Sequence, residues 1–310
     1  MPTPLIHIGF YKAASTWLQK RYFCEQFGYQ RVMDSLRLQV NYLDPKEPGY
    51  QASASRARLA AQMEPIVQRG LCPVISSEGL CGDLLRGGHN QQHNARRLRD
   101  ITKGDPRILL VVREQRQLLR SAYKTLVYFG ESRNISRLLQ PLSASESPRF
   151  HPGFLCFDRL VELYQGLFSA PAVLVLPYEM FRDNPRAFLR RIREHVGLEA
   201  VADTHFDPLP FKQKLNASDK LGFIEGQRMA NRLAGNTRND FSGRNEHNDF
   251  ARVIRRIAWH KQHNRSLPVD NWLERRFHAR VEALTQGVFA DSNRRLQQLT
   301  GLDLAPYGYQ

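Results

Sequence analysis

Four short, mostly apolar runs recur along this chain, each followed by a polar turn and then by a longer amphipathic stretch. The runs are residues 5–9, 72–78, 107–113 and 172–177. Short runs of consecutive apolar positions are typical of strands that are buried on both faces, and such strands occur mainly in parallel sheets. We therefore predict four buried strands, of which residues 107–113 have the most continuous apolar pattern.

The segments between these strands have the residue spacing of helices. We predict helices over residues 15–27, 56–69, 90–103, 115–129 and 156–168, and another with Pro185 in its first turn. Residues 31–55 and 130–155 are polar and contain several prolines, so we predict them as loops at the rim of a cleft. After residue 200 the pattern is that of a polar loop followed by two or three helices.

This alternation of strands and helices predicts an α/β fold. We expect a P-loop-like, three-layer arrangement in which a central parallel sheet is flanked by helices, with a helical C-terminal part. A chain of 310 residues fits one such domain. Its α/β core would cover residues 1–200, and residues 201–310 would form the loop and helical part of the same domain.

The turn after the first strand has the residue types of an anion site. Small residues follow Lys12, and Ser15 and Thr16 supply hydroxyls where a helix with free N–H groups begins. A Walker A loop has a glycine directly before its lysine, whereas Lys12 stands three positions after Gly9 with no second glycine. At Ala14 the backbone needs either a negative φ or some strain. An ordinary strand-turn-helix with a solvated lysine is the alternative.

A second pair of candidate anion ligands comes at the end of the third predicted strand. Arg113 ends that strand, and Ser121 follows eight residues later within the next helix. An arginine at the carboxyl end of a parallel strand faces the crevice where open α/β sheets bind ligands. Its guanidinium binds phosphate oxygens in a bidentate manner. The alternative is an ion pair between Arg113 and a carboxylate such as Glu114 or Glu131.

Together, these two motifs resemble those of sulfotransferases that use 3′-phosphoadenosine 5′-phosphosulfate (PAPS). The family's phosphosulfate loop is matched by residues 11–17, YKAASTW, and its Arg-x7-Ser phosphate site by Arg113 and Ser121. Residues 174–188 and 291–304 also resemble family segments. Two departures are Tyr11 in place of proline and Ala14 in place of glycine. The resemblance covers residues 1–200 well and the rest loosely.

The resemblance implies PAPS as co-substrate, no metal, and a set of donor-binding residues. These are Lys12, Ala13, Ala14, Ser15, Thr16, Trp17, Arg113 and Ser121. Lys12 would stabilise charge on the bridging oxygen, and Thr16 would help to hold the 5′-phosphate. Trp17 would stack on the adenine or pack in the core. The family's glycine-rich covering segment is missing, and its candidate replacements are Lys212, Lys214 and Ser218.

The resemblance also implies a general base after the second predicted strand. The carboxylate at that position is Glu78, and an anionic cofactor beside it would raise its pKa toward neutrality. His89 and His93 in the following segment are the substitutes. The alternative for Glu78 is a structural role, as a turn cap or as the partner of an arginine.

The net charge of +15 fits an anionic nucleotide and a negatively charged acceptor, because a basic cleft concentrates such ligands. Nucleic-acid binding without catalysis is a rival reading, but the arginines are dispersed through helical segments without a basic arm. A P-loop kinase that uses ATP is the other rival. The polar and aromatic residues of the predicted loops favour a carbohydrate or glycolipid acceptor.

Three observations favour a cytoplasmic protein. No apolar run approaches the ~20 residues that span a bilayer. No charged segment followed by an apolar stretch precedes the first strand, as a secretory leader would require. The four cysteines include no C-x-x-C pair, so we expect reduced structural thiols.

Overall fold

The computed structural model describes residues 2–45, 50–140, 149–211, 220–233 and 268–310. Its centre is a five-stranded parallel sheet in the order β2-β3-β1-β4-β5. The strands are β1 Leu5–Gly9, β2 Tyr29–Arg31, β3 Cys72–Ser76, β4 Arg107–Val112 and β5 Val173–Pro177. The predicted α/β fold with a central parallel sheet is thereby confirmed, and so are the four predicted strands.

The strands β1 and β3 are buried along their whole length. All five residues of β1 are buried, and β1 pairs with β3 on one side and with β4 on the other. His7 is the polar exception in β1, and its Nδ1 lies 2.7 Å from the Ser76 hydroxyl of β3. Burial lowers the pKa of His7 to about 3, so its ring is neutral at ordinary pH. A neutral, bonded imidazole is compatible with a central strand.

Helices flank the sheet and lie between its strands in sequence. They are α1 Ser15–Trp17, α2 Ser35–Leu38, α3 Ala52–Gln68, α4 Gln91–Ile101, α5 Gln115–Tyr128, α6 Ile135–Leu138, α7 Phe157–Phe168, α8 Tyr178–Asp183 and α9 Pro185–Val196. The C-terminal part adds α10 Leu221–Leu233, α11 Pro268–Thr285 and α12 Ala290–Thr300. No helix among the described residues has the length and apolar character to cross a bilayer.

Three sequence predictions about local structure were wrong. The helix predicted over 15–27 is α-helical only in α1, then continues as a π-helix over Leu18–Tyr22 and a 3-10 turn over Glu25–Phe27. The physical reason is an aromatic cluster, in which the Tyr22 ring packs at 5.7, 5.6 and 5.0 Å from Phe23, Phe27 and Tyr29. Part of the loop predicted over 31–55 is also helical, in α2 and the π-helix that follows it. The loop predicted over 130–155 likewise contains the short helix α6.

The C-terminal helices pack on the helix that follows β4. On α5, the Tyr123 hydroxyl donates to Glu225 of α10 at 2.8 Å, and Lys124 pairs with Glu274 of α11 at 2.7 Å. The last helix, α12, packs against α7. These contacts attach the C-terminal half of α5 to α10 and α11.

Candidate active site

The loop between β1 and α1 contains two residues in a left-handed backbone conformation. Lys12 has a φ of 65° and Ala14 a φ of 63°. Left-handed geometry costs a residue with a Cβ ~1–2 kcal/mol, so the loop holds strain on both sides of Ala13. Of the two possibilities left open for Ala14, the structure shows the strained one. The exposed Lys12 side chain extends from the outer part of this loop.

A close approach at Gly9 explains why β1 ends in glycine. A Cβ at Gly9 would lie 2.0 Å from the Ser15 hydroxyl oxygen and 3.2 Å from Cε1 of His7. The Ser15 side chain is therefore packed directly over the Gly9 backbone, and it is only 2% exposed. This contact sets where α1 begins relative to the end of the strand.

Glu78 lies beside this loop, at the end of the neighbouring strand. It begins a 3-10 turn over Glu78–Cys81, directly after β3. Burial raises the pKa of the Glu78 carboxyl, while the Lys12 charge and the nearby Ser15 hydroxyl oppose that rise. The residue that caps the turn is Ser77, whose hydroxyl accepts from the Gly79 N–H at 3.2 Å. Glu78 thus lies near enough to the loop for the Lys12 charge to act on its carboxyl.

Arg113 approaches the same loop from the other neighbour of β1. Its Nη1 donates to the Lys12 carbonyl oxygen at 2.9 Å, and its guanidinium carbon lies 4.8 Å from the centre of the Tyr178 ring. Arg113 forms no ion pair with Glu114 or Glu131, the two carboxylates considered as its partners. Glu114 pairs with Arg116 and Glu131 pairs with Arg133, each at 2.7 Å.

Buried acidic groups support the strand end that carries Arg113. The Glu114 backbone N–H donates to the Glu179 carboxylate at 3.1 Å, and the Tyr309 hydroxyl donates to the other oxygen of Glu179 at 3.3 Å. Glu179 is fully buried, and burial raises its pKa. Tyr178 and Glu179 entered the sequence argument only as a family-like segment. Their contacts with Arg113 and Glu114 were not predictable from that segment.

The remaining donor-site candidates occupy several environments. Trp17 is 5% exposed, with its ring centre 4.8 Å from that of Phe181 and 5.7 Å from that of Phe211, onto which it stacks at 19°. Its indole N–H donates to the Pro210 carbonyl at 3.4 Å. In this structure the Trp17 ring therefore packs in the core. Lys212, Lys214 and Ser218 follow directly in sequence and lie outside the described residues.

Two further placements concern hydroxyls and histidines. Thr16 and Ser121 are each partly exposed, with Ser121 about two turns into α5. His89 and His93 are both exposed, and Nε2 of His93 lies 3.0 Å from the Leu43 carbonyl oxygen. Among the described residues, no three His, Cys, Asp or Glu side chains are grouped so as to hold a metal ion.

The sheet order brings the three charged candidates to one edge. Glu78 follows β3, Lys12 follows β1 and Arg113 follows β4, and these strands are adjacent in the order β3-β1-β4. Because the strands are parallel, all three residues lie at their carboxyl ends. In open α/β sheets, this is where ligands bind, at the point where the strand order changes direction.

Comparison with known proteins adds little to this geometry. No protein-family model matches the chain, and neither does any curated protein. Among solved structures, one match is the crystal structure of a sulfotransferase from Alicyclobacillus acidocaldarius, with 15% sequence identity and a TM-score of 0.46. The match covers 87% of this chain and 99% of that chain. At this level of similarity it carries no argument, so the functional case depends on the residues at the sheet edge.

Proposed function

We propose that this protein is a sulfotransferase that moves the sulfuryl group of PAPS to an acceptor hydroxyl. The observation that carries the proposal is the hydrogen bond from Arg113 to the Lys12 carbonyl oxygen. It joins two candidate phosphate motifs that are 101 residues apart in sequence. One nucleotide with phosphate at both of its ribose ends accounts for both motifs at one sheet edge.

The charges at the site fit such a donor. Lys12 is an exposed residue of the loop, and Arg113 is partly exposed with one guanidinium nitrogen, Nη1, bonded to the Lys12 carbonyl. A guanidinium with a free donor at a ligand-binding edge is suited to phosphate oxygens. Thr16 is partly exposed and offers a hydroxyl to the donor, whereas the Ser15 hydroxyl is buried over Gly9. In this proposal Ser121 contributes a further hydroxyl to the 3′-phosphate.

The proposed transfer needs a charge stabiliser and a base. The acceptor oxygen forms a bond to sulfur as the bond from sulfur to the bridging oxygen breaks, and the nucleotide leaves as 3′-phosphoadenosine 5′-phosphate. Lys12 stabilises the negative charge that develops on the leaving oxygen. Glu78 accepts the proton of the acceptor hydroxyl, and its raised pKa suits a base near neutral pH.

The acceptor class is proposed from the rim of the site. The acceptor wall predicted from the sequence comprises residues 31–55, 79–95 and 130–155, which contain tyrosine, asparagine, glutamine, arginine and histidine side chains. Such side chains bind the hydroxyls of a carbohydrate or of a glycolipid headgroup by hydrogen bonds and by stacking. We propose an acceptor of this class.

A thermal-shift comparison tests the donor. We expect the adenosine bisphosphate product to stabilise the protein without magnesium, by ~2.7 kcal/mol at one hundred times its dissociation constant. Labelled PAPS supplied with panels of sugars, lipids and phenols then identifies the acceptor. Lys12→Ala and Arg113→Ala should each abolish or severely reduce transfer. Stabilisation only by ATP with magnesium, or steeply salt-dependent binding of nucleic acid without a response to the bisphosphate, would contradict the proposal.

A further inference from the structure

Side chains of two helices bind the backbone of the turn that contains Glu78. Three successive carbonyl oxygens of the turn each accept a hydrogen bond from a side chain. Asn94 donates to Gly79 at 2.9 Å, Tyr164 to Leu80 at 3.2 Å and Gln91 to Cys81 at 2.8 Å. Asn94 and Gln91 lie on α4, and Tyr164 lies on α7.

The remaining carbonyl of the turn, that of Glu78, accepts a hydrogen bond from a residue of the turn itself. The Cys81 thiol lies 3.0 Å from the Glu78 carbonyl oxygen, and the Gly82 N–H donates to the Gly79 carbonyl at 3.1 Å. Every carbonyl from Glu78 to Cys81 therefore has a hydrogen-bond partner. A short 3-10 turn gains little stability from its own hydrogen bonds, so these external donors restrict its position.

The donors themselves are fixed and do not change charge. Asn94 is 1% exposed and Tyr164 is fully buried, and burial raises the pKa of Tyr164 well above its ordinary value. Both remain hydrogen-bond donors throughout the range in which Glu78 titrates. The two helices also pack against each other, so the donors form one rigid frame.

We propose that Tyr164, Asn94 and Gln91 are positioning residues that hold the Glu78 carboxylate beside Lys12. This inference rests on the proposed role of Glu78 as the base. The Glu78 side chain interacts with the loop while its backbone is held by the frame, so a shift of the turn moves the carboxylate relative to Lys12 and Ser15. A misplacement of ~1 Å at a reacting group lowers rates by ~100-fold.

Two variants remove single donors while they keep most of the packing. Tyr164→Phe deletes only the hydroxyl, and Gln91→Met deletes the amide at the less buried end of the frame. We expect kcat to fall by ~10- to 100-fold, with the affinity for adenosine bisphosphate within about twofold of the wild type. The acidic limb of the kcat–pH profile should move toward the ordinary carboxyl value of 4.5, because a loosened turn hydrates Glu78.

A matched control separates positioning from general packing. Tyr22 is also fully buried, and its hydroxyl donates at 3.2 Å to the Leu189 carbonyl of α9, which is not part of the turn. Tyr22→Phe should therefore leave kcat and its pH profile unchanged. If Tyr164→Phe fails to fold, as judged by circular dichroism, the Gln91→Met variant decides the question.

A double-mutant cycle with Glu78→Gln distinguishes a failure of the positioning role from a failure of the proposed base. If the frame acts through Glu78, adding Tyr164→Phe or Gln91→Met to Glu78→Gln lowers single-turnover transfer little further. Full additivity, or wild-type kcat and pH profile in the single variants, would overturn the positioning role alone. Full activity of Glu78→Gln would instead overturn the proposed base, and the positioning role with it.

Discussion

Arg113 reaches the loop after β1 and donates a hydrogen bond to the carbonyl oxygen of Lys12 at 2.9 Å. Lys12 has the left-handed backbone conformation, so this bond stabilises a strained part of the loop. The guanidinium also lies over the ring of Tyr178, which fixes its plane. One side chain thus joins the ends of β1, β4 and β5.

Replacing Arg113 by lysine should weaken donor binding while the charge is retained. Lysine is a point charge without a planar fork, so it binds either the Lys12 carbonyl or a phosphate, but not both in the same geometry. We expect the affinity for adenosine bisphosphate, measured by calorimetry, to fall at least ~10-fold. Arg107→Lys is the control, since Arg107 starts the same strand and donates to the Pro171 carbonyl at 3.3 Å. Equal effects of the two variants would contradict the prediction.

Glu78→Gln should raise the free energy of unfolding at neutral pH. Burial raises the pKa of Glu78 above 4.5 in the folded protein, so the wild type loses stability as pH rises from 4.5 through that raised value. A neutral amide avoids this loss. Urea unfolding at pH 7.5 and at pH 4 measures the effect, and the gain from Glu78→Gln should disappear at the lower pH.

Glu131→Gln is a control that should change the free energy of unfolding at neutral pH in the opposite direction. Burial alone would raise the pKa of Glu131, but the hydrogen bonds and charge of Arg133 together lower it. Its ionised form therefore contributes stability above pH 4.5, which is lost as pH falls through the lowered value. The substitution should destabilise the protein at pH 7.5. The same sign of change in both glutamine variants would be incompatible with these environments.

Gly9→Ala should disrupt the loop. Its new methyl group would lie 2.0 Å from the Ser15 hydroxyl oxygen, so the start of α1 must shift. Overpacking of this kind costs ~1–3 kcal/mol, and the shift should also weaken bisphosphate binding. Adding Ser15→Gly removes the main clash and should restore part of the stability measured by thermal unfolding. Gly166→Ala is the control, because nothing lies within 4 Å of its Cβ position. Comparable destabilisation at both glycines would contradict the close-approach argument.

Ala14→Gly should stabilise the protein. Ala14 has a φ of 63°, which glycine adopts without the Cβ penalty, and the gain exceeds the added entropy of the unfolded chain by ~0.5–1 kcal/mol. Ala13 is buried and is not among the residues with positive φ, so Ala13→Gly should destabilise instead. Chemical denaturation of the two variants measures the difference. A lower stability of Ala14→Gly would show that the left-handed backbone is not a source of strain.

The limits of sequence-based prediction are visible in particular elements. The runs that form β1 and β4 were predictable because a strand covered on both faces needs apolar residues at nearly every position. The edge strand β2 was not, since it has three residues, two of them the polar Gln30 and Arg31. The π-helix after α1 was missed because the aromatic cluster that shapes it includes Tyr29, which lies beyond the segment.

The candidate site also has features that the sequence predicted and features that it did not. Polar residues directly after strands indicate one sheet edge, and this places Lys12, Glu78 and Arg113 near one another without knowledge of their contacts. The sequence did not predict the partner of Arg113, because Glu114 and Glu131 are nearer to it in sequence than Lys12. The structure decided it by pairing each carboxylate with another arginine.

Residue order alone predicts the α/β class, the positions of the buried strands and the residue types at their carboxyl ends. These follow from burial and periodicity, which act over a few neighbouring residues. The folded chain was needed to show that Arg113 bonds the Lys12 carbonyl, that Ala14 is left-handed, and that α4 and α7 bind the backbone of the Glu78 turn. Such contacts depend on the relative positions of elements far apart in sequence, which hydrogen bonding and packing fix only once the sheet is assembled.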